Sequence, residues 1–360
     1  MLRVAIDTTP LIGPRTGIGQ FTAGLVSGLR RHRPAIETVT FELTWRGRTA
    51  GSRPFPARPM RAVWRHIDRP SIEWWTGPID VVHGTNYVVP PTRRAARLVS
   101  VHDLTAVHFP DLCTDDTREY PGLVKRALRS GAHVHCDSQF VADELLAWSG
   151  CDPLVVHVVP PGIPSADRPP TNLAHDGPPY ILVLGTIEPR KDHVTMLGAF
   201  AAVAGHDAEI NLVVAGADGW GTAAYEDALN ALRPEVRRRI IRRTNVDDAE
   251  RDALVAHARA LAYPSVYEGF GFPPLEAMAA GVPVVAARAG SLPEVLGDAA
   301  AFVDVGDAED LASALLRVLT DEEWRAELVV RGTRQAARFT WDRCAAEMVD
   351  LYGVLDRGRR

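Results

Sequence analysis

The sequence has 360 residues, of which 46% are hydrophobic and 24% are charged, and its formal net charge is −5. This balance is typical of globular proteins and excludes disordered, collagen-like and coiled-coil chains. The length predicts about two domains, each large enough to bury its own core. The sequence contains no apolar run of the roughly 18 residues that a membrane-spanning helix needs.

Neither the N-terminus nor the cysteines indicate secretion. The chain begins with an apolar segment and lacks the charged, apolar and small-residue regions of a signal peptide. The four cysteines, Cys113, Cys136, Cys151 and Cys344, form no Cys-x-x-Cys pair and no disulfide framework. We therefore expect a cytoplasmic protein with reduced thiols.

Basic residues are distributed unevenly, and almost all of them are arginines. The 40 basic residues include only two lysines, Lys125 and Lys191, so each lysine is a candidate for a specific role. Residues 30–69 hold ten arginines, and tryptophans and a phenylalanine lie in or just beyond this stretch. One interpretation is a solvated face with its aromatic side chains turned to the core. The other is a surface at residues 30–75 that binds anionic lipid headgroups, at the inner face of the plasma membrane, or a phosphorylated acceptor. The acidic net charge argues against nucleic acid as a partner.

The first half of the chain alternates short apolar runs with helix-like segments. A Gly-rich loop follows the first run, and a helix is predicted from about Ile18 to Arg31. This alternation predicts a parallel sheet covered by helices on both faces. The predicted strands are residues 2–6, 81–82, 98–101, 133–136 and 155–159.

A proline-rich stretch divides the chain, with seven prolines between positions 160 and 179. Proline at this density interrupts regular structure and stiffens a linker. The alternation then resumes, so the sequence predicts two Rossmann-like domains, at 1–165 and 166–340, and a C-terminal helix within 341–360. Strands are predicted at 180–184, 211–215, 260–263 and 282–286, and helices near 193–204, 248–258, 307–319, 321–338 and 341–356.

Two loops between a strand and a helix are candidate anion sites. Gly17 and Gly19, at the start of the first predicted helix, permit close backbone approach to an anion, although a plain tight turn is the better explanation when this loop is taken alone. In the second loop, Arg190 and Lys191 lie where two cations can neutralise a diphosphate. An ordinary solvated pair is the alternative for these two side chains.

The segment from Pro264 to Met278 is the most informative part of the sequence. Glu268 and Glu276 are separated by seven residues, with a Gly-Phe-Gly turn and then a Pro-Pro pair between them. The prolines predict the start of a helix with Glu276 in its first turn, so that both carboxylates face one ligand. Carboxylates accept hydrogen bonds from sugar hydroxyls, and a helix N-terminus favours phosphate.

With these motifs, the sequence resembles the retaining glycosyltransferases of the GT-B fold, in the group-1 (family 4) class that includes bacterial mannosyltransferases. The resemblance covers nearly the whole chain and is most specific in the Glu-x7-Glu block. It implies an α/β fold with two Rossmann-like domains facing a central cleft, an N-terminal acceptor domain and a C-terminal donor domain. It also implies that the C-terminal helix within 341–360 crosses back to the N-terminal domain. The residues that carry it include Val82–Tyr87, Val101–Leu104, Cys136–Ser138, Glu188–Lys191, Glu268–Glu276, Gly281–Val285 and Ser291–Glu294.

The resemblance also implies roles for individual residues. Glu268 would contact the hydroxyls of the donor sugar, and Glu276 would bind the nucleotide ribose. Lys191 with Arg190 would hold the diphosphate, and Gly17 would close over it. His102, at the end of a strand, would face the reaction centre, with a structural histidine as the alternative. The backbone of Phe270, Gly271 and Phe272 would hold the sugar and phosphates.

The function predicted in this way is transfer of a hexose from a nucleotide sugar to a glycan or lipid-linked acceptor in polysaccharide biosynthesis. Mannose from GDP-mannose is favoured, and rhamnose is an alternative. A nucleotide-sugar epimerase and a catalytically silent scaffold are the other candidates. No sugar nucleophile is evident, which favours a front-face mechanism. Thr186 stands where many relatives have an arginine, and residues 241–244 lack their usual glycine, so the base is left open.

Metal binding is not predicted, and no cofactor is expected beyond the donor substrate. His133 and His135 lie on one face of a predicted strand and Cys136 on the other, a poor geometry for a metal. The pairs Asp115-Asp116 and Asp247-Asp248 are interpreted as helix starts rather than as metal ligands. We therefore expect activity without a divalent cation.

Overall fold

The computed structural model describes residues 1–12, 17–32, 35–43, 60, 63–64, 67–164 and 177–358. The chain forms two compact units, one of residues Met1–Gly162 with Phe339–Arg360 and one of Ile163–Arg338. Each unit contains one six-stranded sheet in which every strand pair is parallel. The alternation of apolar runs and helices therefore predicted the sheet type correctly.

The first unit is built on a sheet with the strand order β2-β1-β3-β4-β5-β6. Its strands are β1 Leu2–Asp7, β2 Ile36–Phe41, β3 Val81–Gly84, β4 Ala96–Val101, β5 His133–Cys136 and β6 Val156–Val158. Helices at Gly17–Arg31, Glu73–Thr76, Thr105–His108, Asp115–Arg118, Tyr120–Arg129, Gln139–Ser149 and Trp341–Gly358 accompany them.

The second unit has the strand order β12-β11-β10-β7-β8-β9. Its strands are β7 Tyr180–Leu184, β8 Asn211–Ala215, β9 Ile240–Arg243, β10 Ala260–Tyr263, β11 Val284–Ala287 and β12 Ala301–Val303. The helices are His193–His206, Thr222–Ala231, Pro234–Arg237, Asp248–Ala256, Phe272–Ala279, Leu292–Leu296, Ala308–Thr320 and Glu322–Ala336. Both central strands, β7 and β10, are buried along their whole length because helices cover both faces of the sheet.

Three strands of the structure have no counterpart in the sequence prediction, and all three lie at sheet edges. These are β2, β9 and β12. An edge strand has a single neighbour and stays partly exposed, so it needs no continuous apolar run. The sequence of β9, Ile-Ile-Arg-Arg, shows this, since none of its four residues is fully buried.

The C-terminal helix packs on the helix Gly17–Arg31 within the first unit. Arg31 Nε donates to Asp342 Oδ1 over 2.6 Å at the start of this contact. Further along, Tyr352 Oη lies 2.8 Å from His83 Nδ1, and both side chains are buried. The last segment of the chain thus completes the core of the first unit.

Much of the basic aromatic stretch lies outside the described residues, including Trp45 and Phe55. Trp64 is buried and donates Nε1 to the carbonyl of Pro70 over 3.2 Å, whereas Trp74 is 64% exposed. The stretch therefore contributes at least one side chain to the core and one to the surface. Within the described ranges, no helix is long and apolar enough to cross a membrane.

Candidate functional site

In the second unit, a short loop after β7 positions the two cations that the sequence singled out. Pro189–Lys191 form a 3-10 turn, and Asp192 follows with a φ of 48°. The Asp192 side chain then accepts a hydrogen bond from Thr195 N over 3.2 Å and caps the next helix. The 3-10 turn, the left-handed Asp192 and the helix cap follow one another directly, and together they position the side chains of Arg190 and Lys191 at the carboxyl edge of the sheet.

Arg190 and Lys191 converge on Glu268, and with Glu188 and Tyr263 these residues form what we term the cation cluster. Lys191 Nζ donates to Glu268 Oε1 over 2.6 Å and to Tyr263 Oη over 2.7 Å. Arg190 Nη1 lies 2.9 Å from Glu268 Oε2, and its Nη2 donates to Glu188 Oε1 over 2.7 Å. Two cations therefore balance two carboxylates in a buried setting.

Burial and charge act in opposite directions on the ionisation of the cluster. Burial disfavours the charged form of Glu268, but Arg190 and Lys191 outweigh it and lower the pKa of this carboxyl to about 2. For Lys191, burial is the larger influence and lowers the pKa of the ammonium group, although Glu268 opposes the change. Glu268 is thus an anion at neutral pH, held by charge-assisted hydrogen bonds.

The loop that carries Glu268 is fixed by backbone contacts. Ser291 N donates to the carbonyl of Glu268 over 2.9 Å. Gly290 lies directly behind it with a φ of 55°, and a Cβ at this position would come within 2.2 Å of the same carbonyl. Gly271, with a φ of 95°, precedes the helix that begins at Phe272, and the rings of Phe270 and Phe272 lie 5.1 Å apart.

Glu276 lies in the second turn of its helix, not in the first as predicted. The helix begins at Phe272, one residue before the Pro-Pro pair, because Gly271 adopts the left-handed conformation that precedes it. The Glu276 carboxylate is buried and contacts the guanidinium of Arg251, on the helix Asp248–Ala256. Glu268 and Glu276 therefore have different cationic partners in this structure.

In the first unit, His102 follows β4 and has a partner at each ring nitrogen. Nδ1 lies 2.7 Å from Asp137 Oδ2, and Nε2 lies 2.8 Å from the carbonyl oxygen of Thr85. Both contacts are to acceptors, which favours the doubly protonated imidazolium. Burial disfavours that charge, but Asp137, together with the Thr85 carbonyl and Asp103, outweighs burial and raises the pKa of His102 above 6.5. His102 is thus a buried, oriented histidine whose pKa is raised and whose two ring nitrogens both have acceptor partners.

We expect Asp137→Asn to lower the pKa of His102, because a neutral amide removes the main charge that stabilises the imidazolium. Histidine NMR titration of wild type and variant would measure the change. The raised pKa stabilises the fold fully below pH 6.5, and this contribution disappears as the pH rises through the folded-state value. Because loss of a partner from a buried pair costs about 3 kcal/mol, we expect the free energy of unfolding of Asp137→Asn to be lower by about this amount, measured by urea unfolding below pH 6.5. Asp143→Asn, on an exposed helix position, is the control; equal titrations in wild type and Asp137→Asn would contradict the expectation.

The remaining predicted positions are less informative. Gly17 is exposed and begins its helix, while Thr16 lies outside the described residues. The positions near the expected base site, residues 241–244, include the end of β9, and Asn245 follows with a φ of 54°. His133 Nδ1 lies 2.9 Å from His157 Nε2, and the described part of the chain contains no group of three or more residues suited to a metal ion.

Several residues of the site were given no role in the sequence analysis. Tyr263, Arg251 and Asp137 each contact a predicted site residue, but they come from elements far away in the chain. Gly290 had the clearest sequence signal, since an Ala-Gly-Ser turn follows β11. Arg251 had none, because it is one arginine among 38 on an otherwise ordinary helix.

Comparison with known families covers both units. A model described as "Glycosyl transferases group 1" matches residues 166–335, and one described as "Glycosyltransferase Family 4" matches residues 17–167. The O-antigen chain mannosyltransferase B of Escherichia coli is 31% identical over 290 residues, which cover 76% of this chain and 74% of that protein.

Solved structures share the fold over almost the entire chain. Sucrose-phosphate synthase from Thermosynechococcus elongatus matches with a TM-score of 0.76 and 19% identity, covering 99% of this chain and all of that one. Anabaena HepE, solved in complex with UDP, matches with a TM-score of 0.68 and 16% identity over 98% of this chain and all of that one. These similarities confirm the predicted GT-B fold with its two α/β domains.

Proposed function

Because the chain belongs to the group-1 glycosyltransferases, we propose that it is a retaining mannosyltransferase that uses a nucleotide sugar, with GDP-mannose favoured as donor. The acceptor is a glycan or a lipid-linked glycan in polysaccharide biosynthesis. The mannose assignment is supported by the Escherichia coli relative, which is named as an O-antigen chain mannosyltransferase. The observation that carries the proposal is the cation cluster, in which Arg190 and Lys191 hold Glu268.

Donor binding would exchange partners within the cation cluster. In the described structure, Arg190 and Lys191 are neutralised by Glu188 and Glu268. An arriving diphosphate competes for the same two cations, and Arg190 is well suited to it because a guanidinium binds phosphate oxygens in a bidentate manner. Glu268 is then released to accept hydrogen bonds from the sugar hydroxyls. The residues that are paired with one another in the cation cluster are thus the same residues that would contact the donor.

Other residues complete the proposed donor site. Glu276, oriented by Arg251, would accept hydrogen bonds from the ribose hydroxyls. The backbone from Phe270 to Phe272 offers N–H groups at the start of a helix, where negative charge is favoured. His102 lies at the carboxyl edge of the first sheet, where Asp137 favours its protonated form and raises its pKa, and Gly17 would approach the diphosphate.

The proposed reaction takes place on one face of the sugar. The bond between the anomeric carbon and the phosphate oxygen breaks while the acceptor oxygen bonds to the same face, so the configuration is retained. The acceptor proton passes to the leaving phosphate. Negative charge develops on that phosphate, and Arg190 and Lys191 stabilise it electrostatically without needing a metal ion. Trapping a covalent glycosyl-enzyme would exclude this mechanism.

A thermal-shift panel with GDP-, UDP- and dTDP-sugars tests the donor assignment. A ligand at 100 times its dissociation constant stabilises the native state by about 2.7 kcal/mol, so the true donor stands out as the largest shift. We expect GDP-mannose to give that shift, with EDTA present or absent. A larger shift with another nucleotide would reassign the donor, no shift with any would contradict the function, and a requirement for magnesium would contradict the metal-free reaction. Formation of a new sugar nucleotide without acceptor would indicate an epimerase.

A further inference from the structure

Asp7, the last residue of β1, is a buried carboxylate that none of the roles above uses. Its exposed fraction is only 3%. Oδ1 accepts two hydrogen bonds from Thr9, one from the backbone N over 2.9 Å and one from Oγ1 over 2.5 Å. In the part of the chain that the structure describes, no group donates to Oδ2. One oxygen of this carboxylate is therefore fixed and the other is available.

The position of Asp7 places it on the same sheet edge as His102. The Asp7 carbonyl accepts a hydrogen bond from Thr85 Oγ1 over 2.7 Å, and the Thr85 carbonyl lies 2.8 Å from His102 Nε2. Since β3 lies between β1 and β4, the strand ends that carry Asp7 and His102 are about 10 Å apart. Ligands of open α/β sheets bind outside this carboxyl edge.

A carboxylate in this environment is costly to the fold. Burial, with a smaller contribution from the nearby Glu42, raises the pKa of Asp7 to about 6, although the hydrogen bonds from Thr9 oppose the change. Asparagine has the same shape and an oxygen for the same Thr9 contacts, without the cost of burying a charge. Buried polar atoms normally have partners, so an available oxygen in such a place indicates a ligand that supplies the hydrogen.

We infer that Oδ2 of Asp7 binds the attacking hydroxyl of the acceptor sugar. The chemical class of the ligand is a sugar or polyol alcohol, which donates its O–H to a carboxylate oxygen. Asp7 thereby orients the acceptor oxygen, and the proton still leaves to the donor phosphate during transfer. This role rests on the proposed glycosyltransferase function and assigns its acceptor contact to the first unit.

Asp7→Asn in the full chain tests the role, with GDP-mannose as donor and methyl α-mannopyranoside or water as acceptor. Asp80→Asn is the matched control, because Asp80 precedes β3 at the amino-terminal edge of the same sheet and its Oδ2 accepts a backbone hydrogen bond from Arg3 N over 2.9 Å. We expect Asp7→Asn to lower transfer to the sugar and hydrolysis of the donor by about 100-fold. The apparent affinity for GDP-mannose, measured by the donor-induced thermal shift, should stay within about twofold of the wild-type value.

The melting temperature separates this role from a structural one. An Asp7→Asn variant that melts at or above the wild-type temperature while losing turnover supports the acceptor contact. A variant that melts well below wild type, or one that keeps wild-type turnover, overturns it. If wild type itself binds no sugar nucleotide, the proposed function fails instead, and the donor-binding measurement reports that separately. Loss of donor binding in Asp7→Asn alone would assign the residue to the donor and overturn the inference.

Discussion

Replacing Lys191 by alanine is expected to lower kcat/KM for the nucleotide sugar by about 10³-fold, because the developing phosphate charge loses a buried cation. Lys191 Nζ lies within 2.7 Å of both Glu268 and Tyr263, so its position is fixed before any donor arrives. In a low-dielectric setting, a preorganised charge contributes far more than it would in water. The apparent dissociation constant of the donor, measured by thermal shift, should rise together with the loss of turnover.

Lys125→Ala is the matched control, since Lys125 is the only other lysine of the chain. Lys125 lies on the helix Tyr120–Arg129, and its Nζ is 4.6 Å from the ring centre of Trp148, which makes a cation–π contact. Loss of such a contact costs about 1 kcal/mol of stability and should leave the kinetics unchanged. Near-normal kinetics in Lys191→Ala would contradict the assignment of the diphosphate contact.

The grouping of Arg190, Lys191 and Glu268 in the second unit was predictable because the sequence signals are local. A strand, a loop with two cations and a helix follow one another from Tyr180 onward, and this order places the loop at the carboxyl edge of a parallel sheet. The same logic applies to Glu268, which follows β10. Since β7 and β10 are neighbours in the sheet, their loops lie side by side.

The pairing inside the site could not be derived in the same way. Lys191 and Glu268 are 77 residues apart, and the rotamers that join them depend on packing around Tyr263. The position of His102 at a strand end was predictable, but its partner Asp137 follows the neighbouring strand, β5. Spacing patterns report which elements lie together, whereas hydrogen-bond partners depend on side-chain geometry that the pattern does not contain.

Glu276 illustrates how one glycine changes a predicted position. The Pro-Pro pair suggested a helix start at Pro273, but Gly271 adopts a φ of 95° and the helix begins at Phe272. The shift of one residue moves Glu276 into the second turn, where its charge is farther from the free N–H groups. Arg251 then provides the positive partner that the helix start does not.

Glu268→Gln is expected to separate chemistry from donor binding, in contrast to Lys191→Ala. The amide no longer neutralises Arg190 and Lys191, so the diphosphate should bind as well as in wild type or better. The sugar loses its carboxylate contact, and we expect kcat to fall by about 100-fold. Steady-state kinetics with the thermal-shift donor would show a lower kcat without a higher KM. A weaker donor affinity with unchanged kcat would contradict this division of roles.

The stability of Glu268→Gln should depend on pH in a way that identifies the buried ion pair. The pKa of Glu268 is lowered from 4.5 to about 2 in the folded protein, so the ionised carboxylate stabilises wild type above pH 4.5. This contribution, about 3 kcal/mol at most, is lost as the pH falls from 4.5 to about 2. Urea unfolding across that range should show wild type losing stability relative to Glu268→Gln, because glutamine does not titrate. If the free energies of unfolding of wild type and Glu268→Gln changed in parallel with pH, Glu268 would not be held by Arg190 and Lys191. The proposed exchange of partners on donor binding would then be wrong as well.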